Sequence, residues 1–465
     1  MKTLAVLFLM ICASPALATT YYVTATGSDS NNGKTVSTAW ATIQHSASTM
    51  KPGDMVLVKQ GKYPERVYVT TSGTAAAPIT FEADTNSEVQ VEGFEIKGAN
   101  YIQVIGFDIT GTSHTAGDTE HMFGILWQGS NGLIQDNYIH DICAEGIMMG
   151  WTGNLSDPTV SNNEIVSNRI VRSEMAGLEV DGQYNSVVGN SISDILQFPV
   201  GCPSRTGADA DGMRAFGTGH LLSHNQITGI AYGTVTNPAP HSDCLQTWGP
   251  LSNTIFEANV CTFPAVGGTL SSASGNEAGN IDNSAGAISH VWMSNNVFST
   301  MRQGPSVTSY GGTPLLDFEF INNTMDNVAQ EALITKGITS AVFENNIFYN
   351  VGVGFGGGDS FLSDNGSSTY TLSNNDFWVT SGSPGTYPQN YTHLNFDPQF
   401  IDEPDGYYEL GASSALLAQG ATVSSITHDI DGTTRPSGLY DIGAFQVCAA
   451  PGCGTAATHG TPAGH

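Results

Sequence analysis

The chain has 465 residues, in which 14 Lys and Arg stand against 42 Asp and Glu, so its formal net charge is −28. A charge of this sign and size opposes binding to nucleic acid and to an acidic membrane surface. It also repels polyanions, so a site for an acidic sugar would need a bound cation or a basic side chain. With 54 Gly and only 12% charged residues, the composition is typical of turns and stacked strands rather than helices.

The first 18 residues have the pattern of a secretory signal peptide. Lys2 precedes an apolar run over residues 4–11, and Ala16 and Ala18 are small where a signal peptidase requires it. We therefore expect a secreted protein, extracellular or periplasmic, whose mature chain begins near Thr19. No later segment is apolar over the length that crosses a bilayer, so we expect no membrane insertion.

Residues 19–100 contain an ordered series of short motifs. The series reads YYV at 21–23, GSDSNNG at 27–33, WATIQ at 40–44, PGD at 52–54 and GKYPE at 61–65. It resembles the capping region of bacterial pectate-lyase-like β-helix proteins. The resemblance implies an N-terminal cap with the first coils, followed by a right-handed parallel β-helix.

A short phrase built on Asn recurs through the central part of the chain. Its nine copies return every 22 to 37 residues, which is one coil of a β-helix plus loop insertions of variable length. Asn suits a bend because it tolerates left-handed backbone angles, and its amide can bond to the Asn of the next coil. The apolar residue two positions later would point inward. The nine residues are Asn137, Asn168, Asn190, Asn225, Asn259, Asn296, Asn323, Asn346 and Asn375.

Together with the resemblance, this repeat predicts an all-β fold, a single-stranded right-handed parallel β-helix (solenoid) with N- and C-terminal caps. The coils are expected over 101–395, without amphipathic helices. Motifs at 429–432 (DIDG), 435–436 (RP) and 441–445 (DIGAF) resemble the closing segment of the same superfamily, which predicts a cap over 396–447. Caps are required because an open solenoid end exposes unpaired strand edges. Residues 448–465 are predicted to be a disordered tail.

Six cysteines follow the signal segment. Cys448 and Cys453 flank a Pro-Gly pair and are the favoured local disulfide. The other four stay unassigned, either as disulfides or as buried thiols. They are Cys143, Cys202, Cys244 and Cys261.

Aligning the coils on the strand after each loop predicts two outward columns of side chains. Alternation along the strands separates them from an inward row. The inward row is Ile125, Ile147, Leu178, Met213 and Leu245. The first column contains Glu179, Arg214 and Gln246, and the second contains Asp181, Phe216 and an exposed Trp248.

Acidic residues mark the leading edge of the same strands. Glu145, Asp211 and Asp243 begin three of them, and Asp209 and His241 come just before. One of only seven arginines, Arg214, falls between these carboxylates. Convergent titratable groups in a cleft are often functional, although a surface ion-pair ladder is the alternative. We expect inserts at 197–210 and 231–242 to wall a groove for a polysaccharide, with Lys336 contacting a distant sugar.

Three functions are compatible with this cluster, and the first is β-elimination on a uronic-acid-containing polysaccharide. Ca²⁺ held by Asp209, Asp211 and Asp243 would neutralise the substrate carboxylate. Arg214 would be the base, provided that neighbouring cations lower its pKa. The pectate lyases that the chain resembles use calcium-assisted elimination with an Arg or Lys base, and the resemblance therefore favours a lyase.

The second function is glycoside hydrolysis by two carboxylates, either Asp211 with Asp243 or Asp211 with Glu179. Acids one or two coils apart lie about 5 to 10 Å from each other, which spans the separations of both hydrolytic mechanisms. In this mechanism Arg214 would clamp the substrate or a carboxylate, without a metal. The third function is a glycan-binding or adhesive β-helix without catalysis. In each case we expect a monomer with Glu145, Asp181, Gln246 and Trp248 contacting sugar, and no nucleic-acid partner.

Overall fold

The computed structural model describes residues 18–84, 88–110, 122–195, 210–229, 241–263, 275–310, 315–352, 362–364, 368–380, 392–403 and 406–447. The predicted signal peptide, apart from its last residue, and the predicted C-terminal tail lie outside these ranges. Strands and turns make up nearly all of the described chain, and parallel pairing dominates. The predicted parallel β-helix is thereby confirmed.

Each coil contributes strands to three faces, which the chain visits in the order C, A, B. Face A is a ladder of thirteen strands with two short additions, Gly217–Thr218 and Ile338–Thr339. Its strands are Thr20–Val23, Met55–Val58, Ile79–Ala83, Ile102–Ile105, Leu133–Gln135, Glu164–Val166, Ser186–Val188, Leu221–Ser223, Leu251–Glu257, Ile288–Ser294, Leu315–Ile321, Ala341–Glu344 and Tyr370–Ser373.

Faces B and C together form a sheet of 21 strands, because the long strands Gly61–Val69 and Val89–Lys97 run through both. Face B continues with Asp108–Ile109, Tyr138–Ile142, Arg169–Ser173, Ser191–Ser193, Gln226–Thr228, Val260–Thr262, Val297–Met301, Thr324–Val328, Ile347–Tyr349 and Asp376–Trp378. Face C continues with Ile125–Gln128, Glu145–Met149, Ala176–Val180, Asp211–Ala215, Leu245–Thr247, Asn280–Asp282, Ser306–Thr308, Leu333–Lys336 and Leu362–Asp364.

Two small sheets complete the fold. His241–Asp243 pairs in parallel with Gly275–Glu277 at the edge of face C, and Phe400–Asp402 pairs antiparallel with Tyr407–Leu410. A continuous core of inward side chains runs the length of the coils, with aromatic stacks such as Phe256, Phe298 and Phe320.

The nine repeated Asn residues form one ladder at the corner between faces A and B. Each side-chain amide donates to the side-chain oxygen of the next Asn, at 2.8 to 3.1 Å. The apolar residue two positions later is buried in every coil, as predicted; examples are Ile139, Phe298 and Phe377. The repeat therefore sets both the bend and the register of the stack.

The left-handed conformation belongs to the residue before each ladder Asn, which corrects the sequence interpretation. Asp136, His224 and Asn345, for example, have φ of 54°, 55° and 58°. The ladder Asn itself is buried and uses its amide to satisfy backbone groups of adjacent coils, as Asn225 does for Val187. The bend and the hydrogen bonds are thus divided between two neighbouring residues.

One short helix lies at the N-terminal end of the described chain, before the predicted coils. Ile43–Thr49 is α-helical and Val36–Thr38 is a 3₁₀ turn. The helix begins at Thr42, whose side chain accepts from His45 N, while Glu65 accepts from the backbone N–H of Ile43 and Gln44. Carboxylates are favourable at a helix N-terminus, and the motif residues at 40–44 and 65 therefore build one cap. No helix in the described ranges is both long and apolar enough to cross a membrane.

The C-terminal segment packs along the side of the coils. Arg435, which is buried, donates to the Asn295 side chain at 2.7 Å, and Asn345 donates to Ala421 O at 2.9 Å. Ile430 and Ala444 join a cluster with Val297 of face B. The predicted closing segment therefore covers the corner between faces A and B and part of face B.

One disulfide within the described residues joins Cys244 and Cys261 across the interior of a single coil. Cys143 is also disulfide-bonded. The alternative of buried free thiols is wrong for these three cysteines. The predicted Cys448–Cys453 pair lies outside the described ranges.

Candidate functional site

The outward column on face C has the register that the sequence predicts. Met148 pairs with Glu179, Glu179 with Arg214, and Arg214 with Gln246 on four successive strands. Asp211 pairs with Ala176, which in turn pairs with Glu145. One pleated face therefore brings together residues that lie up to about a hundred positions apart in the chain.

These side chains point away from the core, as predicted. They are nevertheless buried, so the column is not exposed to solvent. Glu179, Arg214 and Gln246 are only 8%, 4% and 6% exposed. A second apolar cluster lies outside the sheet here and covers the column from the side. It consists of Met122, Phe123, Leu126, Ala144 and Met148, with Met175 packed against it.

Arg214 is the centre of the cluster. Its Nε donates to Asp211 Oδ2 at 2.8 Å, and its Nη1 lies 3.3 Å from Glu145 Oε1 and 3.6 Å from Glu179 Oε2. Nη2 also reaches Met175 O at 3.4 Å. A guanidinium has a rigid fork of donors, and this one is divided among three carboxylates.

The charges around Arg214 oppose the predicted role of a base. Burial acts to lower its pKa, but the carboxylates of Asp211, Glu179 and Glu145 outweigh burial and hold that pKa above its ordinary value. The guanidinium therefore stays charged and organises the carboxylates.

Two carboxyl groups of the strand Ala176–Val180 and its following turn hold protons near neutral pH. Burial, together with the charge of Glu145, raises the pKa of Glu179 to about 7 in spite of Arg214. Burial and the charge of Glu179 raise the pKa of Asp181 to about 9. Asp181 is 1% exposed, and its Oδ2 accepts from Trp151 N at 3.4 Å. Desolvation disfavours the charged form of an acid, so both can act as proton donors.

A pocket of about 270 Å³ opens above the cluster. Glu145, Glu179 and Arg214 supply its polar surface. Trp248 is half-buried, with its ring 5.7 Å from the Arg214 guanidinium and 4.5 Å from Phe216. Trp151 packs edge-on against Phe123 at 4.7 Å. The remaining lining is Met122, Phe123, Met148 and Met175.

The pocket gathers some of the predicted site residues and leaves others beneath it. Glu145, Glu179, Arg214 and Trp248 line it, with Gln246 beside Arg214 in the column. Asp211 is fully buried and accepts from Arg214 through one oxygen and from the backbone N–H of Asp243 through the other. These contacts give Asp211 a positioning role.

Lys336 lies apart from the pocket. It is exposed on a strand four rungs beyond that of Arg214, roughly 19 Å along the axis at the usual strand spacing. Its ammonium lies over the ring of Tyr310 at 5.2 Å. Asp209 and the His241 side chain lie outside the described residues.

An acidic column continues the leading edge beyond Asp243, and its next member was missed. Glu277 pairs with Asp243, is 6% exposed, and pairs in turn with Gln303. Burial raises the pKa of Glu277 to about 7, opposed by Arg302 and reinforced by Glu331 and Asp211. The signal was available, because Glu277 precedes Asn280 by three positions, as Asp243 precedes Gln246, with which Asn280 pairs.

Of the three predicted Ca²⁺ ligands, Asp211 and Asp243 are described, and Asp209 lies outside the described residues. Both oxygens of Asp211 accept hydrogen bonds, and the guanidinium of Arg214 fills the space among three acids. Within the described ranges no group of three or more His, Cys, Asp or Glu side chains could hold a metal ion. A calcium site that includes Asp209 stays a prediction.

Comparison with known proteins places this geometry on a familiar scaffold. Residues 21–191 match the family described as "Pel9A-like, right handed beta helix region". The fold is that of the pectate-lyase-like right-handed β-helix superfamily. The matched residues include the strands that carry Glu145 and Glu179.

Proteins similar to this β-helix include one curated sequence and several solved structures. Uncharacterized protein YwoF of Bacillus subtilis (strain 168) is 24% identical over 389 residues, 71% of this chain and 78% of YwoF. XylC in complex with xylose superposes with a TM-score of 0.58 at 13% identity, covering 92% of this chain and 98% of XylC.

Two further structures have the same TM-score of 0.54. Pectate lyase Pel9A is 16% identical, with 93% of this chain and 97% of that chain covered. The GH136 lacto-N-biosidase of Eubacterium ramulus is 14% identical, with 77% and 67% covered. At these identities the likeness is one of fold, so the chemistry has to be argued from the site.

Proposed function

We propose that this protein is a polysaccharide-degrading enzyme that hydrolyses a glycosidic bond, with Glu179 as proton donor and Glu145 as the partner carboxylate. The observation that carries the proposal is the shared contact of both carboxylates with Arg214 Nη1. Because the contacts measure 3.3 Å and 3.6 Å, the two oxygens lie within about 7 Å of each other. Paired carboxylates at about 5 to 10 Å perform glycoside hydrolysis in both of its stereochemical forms.

The two carboxyl groups have different roles in this proposal. Glu179, with a pKa raised to about 7, keeps a proton for the leaving oxygen. The charge of Glu145 helps to raise that pKa, and Glu145 Oε1 lies 3.3 Å from Arg214 Nη1. A proton donor beside a charged carboxylate is the arrangement that cleavage through an oxocarbenium-like transition state requires.

The charge of the pocket favours a neutral glycan. Three carboxylates surround one guanidinium, within a chain whose net charge is −28. The walls are aromatic and thioether side chains, including Trp151 and Trp248, on which the apolar face of a sugar ring can pack. The names of two similar structures, a complex with xylose and a lacto-N-biosidase, concern neutral sugars, which agrees with this substrate class.

β-Elimination on a uronic-acid polymer is the second candidate, and one observation favours it. The family match extends over 21–191, which contains Glu145, Glu179 and Asp181, and Pel9A is named a pectate lyase. The predicted Ca²⁺, with Asp209 among its ligands, belongs to this candidate alone. We also propose that the enzyme acts outside the cytoplasm, as the predicted signal peptide requires.

A two-channel assay distinguishes the candidates. The mature protein is incubated with neutral and uronic-acid polysaccharides, with Ca²⁺ or with chelator, while reducing ends and ultraviolet absorbance of unsaturated uronate are followed together. We expect reducing ends from a neutral polymer, without absorbance and without an effect of chelator. Glu179→Gln is the inactive control.

Absorbance that chelator abolishes would replace hydrolysis by elimination. Absence of both signals across the panel, with polysaccharide still bound, would indicate a glycan-binding protein without catalysis.

A further inference from the structure

A second cavity lies on face A, away from the pocket on face C. Its volume is about 210 Å³, and its floor consists of three successive strands, Leu251–Glu257, Ile288–Ser294 and Leu315–Ile321. Ser425 and Ile426 of the C-terminal segment form one wall. This cavity shares no lining residue with the Glu145–Glu179 pocket.

Trp292 occupies the middle strand of the floor. It pairs with Ile255 on one side and with Glu319 on the other, so that the three side chains form one outward column. The neighbours of Trp292 in sequence, Val291 and Met293, are fully buried in the core, whereas its own ring is half-buried. The cavity thus presents the ring of an outward tryptophan.

Two carboxylates lie on the strands that flank the strand of Trp292. Glu257 lies one strand before Trp292 and Glu319 one strand after it, so their backbones are two rungs, or roughly 10 Å, apart along the axis. Both side chains are partly buried. Within the described part of the chain, neither carboxylate has a recorded hydrogen bond or ion pair, and both are available as acceptors.

We propose that this cavity is a non-catalytic binding site for a sugar residue of a neutral glycan. The apolar face of the sugar packs on Trp292, and its hydroxyls donate to Glu257 and Glu319. A sugar ring with hydroxyls on opposite edges can reach acceptors on both flanking strands. The site would hold a polymer on face A while the pocket on face C works on another stretch or another chain.

The charges of the cavity decide among other ligands. Two carboxylates and the net charge of −28 exclude an anion. A single small cation is disfavoured because the carboxylates start two rungs apart, and because the lining contains one aromatic ring rather than the cage that recognises ammonium groups. A neutral ligand with several hydroxyls satisfies the ring and both acceptors together.

Affinity electrophoresis through gels containing neutral polysaccharides tests the inference, which does not depend on the cleavage mechanism. Xylan, galactomannan and mixed-linkage glucan serve as probes. The full chain carries Trp248→Ala, which weakens any retention by the pocket on face C. We expect retention by at least one polymer, and Trp292→Ala added to that protein should weaken it on the order of tenfold.

Three controls make the result specific. Trp292→Phe should retain part of the affinity, and Tyr184→Ala, at a ring that is 58% exposed elsewhere, should retain all of it. Trp292→Ala alone should leave cleavage of short soluble oligosaccharides unchanged. Failure of the proposed cleavage and failure of the proposed binding site can therefore be distinguished. The inference would be wrong if the Trp292→Ala substitution changed the mobility in none of the gels. So would Trp292-dependent binding of tetramethylammonium without binding of polysaccharide.

Discussion

Arg214 holds three carboxylates in a space that is nearly closed to water, and this predicts a large effect on stability. Arg214→Ala would leave Asp211, Glu145 and Glu179 buried beside one another without a cation. Removing one partner of a buried ion pair costs about 3 to 5 kcal/mol. We expect a loss of that size in the free energy of unfolding at neutral pH, measured by urea denaturation.

An exposed arginine provides the matched control. Arg172 contacts Asp141 through Nε and Nη2 at 2.6 Å and 2.8 Å, but these side chains are 38% and 45% exposed. Solvent screens such pairs, so Arg172→Ala should cost less than about 1 kcal/mol. Equal losses for the two variants would contradict the central position of Arg214.

The pH dependence of cleavage should report Glu179. A proton donor must be protonated, and the pKa of Glu179 is raised to about 7, so kcat/KM should fall as the pH rises above about 7. Glu179→Gln should lose about 10² to 10⁴ in rate and also lose this limb. The measurement is a pH profile of both proteins on the polymer that proves to be the substrate.

Leaving-group dependence separates acid catalysis from binding. The phenolate leaving group of an aryl glycoside departs without protonation. The rate of Glu179→Gln should therefore fall far less with an aryl glycoside than with the polymer. An alkaline limb that persists in Glu179→Gln would assign the titration to another group, such as Glu277.

The residue column was predictable, and its chemistry was not. Glu179 and Arg214 stand in register because strand pairing and alternation are written in the sequence. Their burial depends on Met122 and Met175, whose approach follows from the path of loops that carry no periodic signal. The pKa values of Glu179 and Arg214 depend on that burial. The sequence alone therefore does not show that Glu179 holds a proton and that Arg214 stays charged.

At the scale of one structural element, the Asn ladder should be a major source of stability. Asn225 donates to Asn259 Oδ1 and to Val187 O, and its own Oδ1 accepts from the backbone and side chain of Asn190. Asn225→Ala leaves buried donors and acceptors of neighbouring coils without partners, at about 1 to 3 kcal/mol for each group. We expect a loss above about 2 kcal/mol in urea denaturation.

The control for the ladder is Asn154→Ala in an exposed turn, where the side chain accepts only from Ser156 N. That change should stay within about 0.5 kcal/mol. A similar loss at both positions would mean that the ladder contributes no more than ordinary polar contacts.

The ladder could be predicted because the same Asn phrase recurs at nine equivalent positions, although the loops between them vary in length. The left-handed residue escaped prediction because Asp136, Ser167 and Ala258 share no side-chain type, so only the backbone shows their common role. The helix Ile43–Thr49 escaped because seven residues hold a single pair of apolar positions four apart, Ile43 and Ala47, which is too little to display a helical period.

At the scale of the whole molecule, buried carboxyl groups should make the fold most stable in mild acid. Burial raises the pKa of Asp181 to about 9, and of four others, Glu179, Glu277, Asp326 and Asp376, to about 7. These pKa values are lower in the unfolded chain, so the folded state binds more protons between about pH 4 and pH 9. Stability therefore falls as the pH rises through that window.

Groups with lowered pKa values act in the opposite direction on the acid side of the optimum, and among the described residues that titrate there, His220 and Asp141 have the largest shifts. Burial lowers the pKa of His220 to about 4, so its contribution is lost as the pH falls from about 6.5. Arg172 lowers the pKa of Asp141 to about 2, so the stability from that pair is lost only in stronger acid. Above about pH 4 the five raised carboxyls outweigh His220, and stability from Asp141 is lost only below that pH, so we expect the melting temperature to be highest near pH 4 and to decrease toward pH 9. A melting temperature that rises over this range would contradict the prediction.

Asp376 allows the same effect to be measured at one position. It is fully buried, its Oδ1 accepts from Phe396 N at 3.0 Å, and its Oδ2 has no hydrogen-bond partner in the described structure. Asp376→Asn keeps the acceptor and removes the charge that ionisation would place in the interior. The variant should match the parent protein at about pH 4 and be the more stable one at pH 8. Each raised carboxyl contributes up to about 1.4 kcal/mol per pH unit within its window, so thermal unfolding at the two pH values resolves the difference, and an equal shift at both would assign the effect to packing instead.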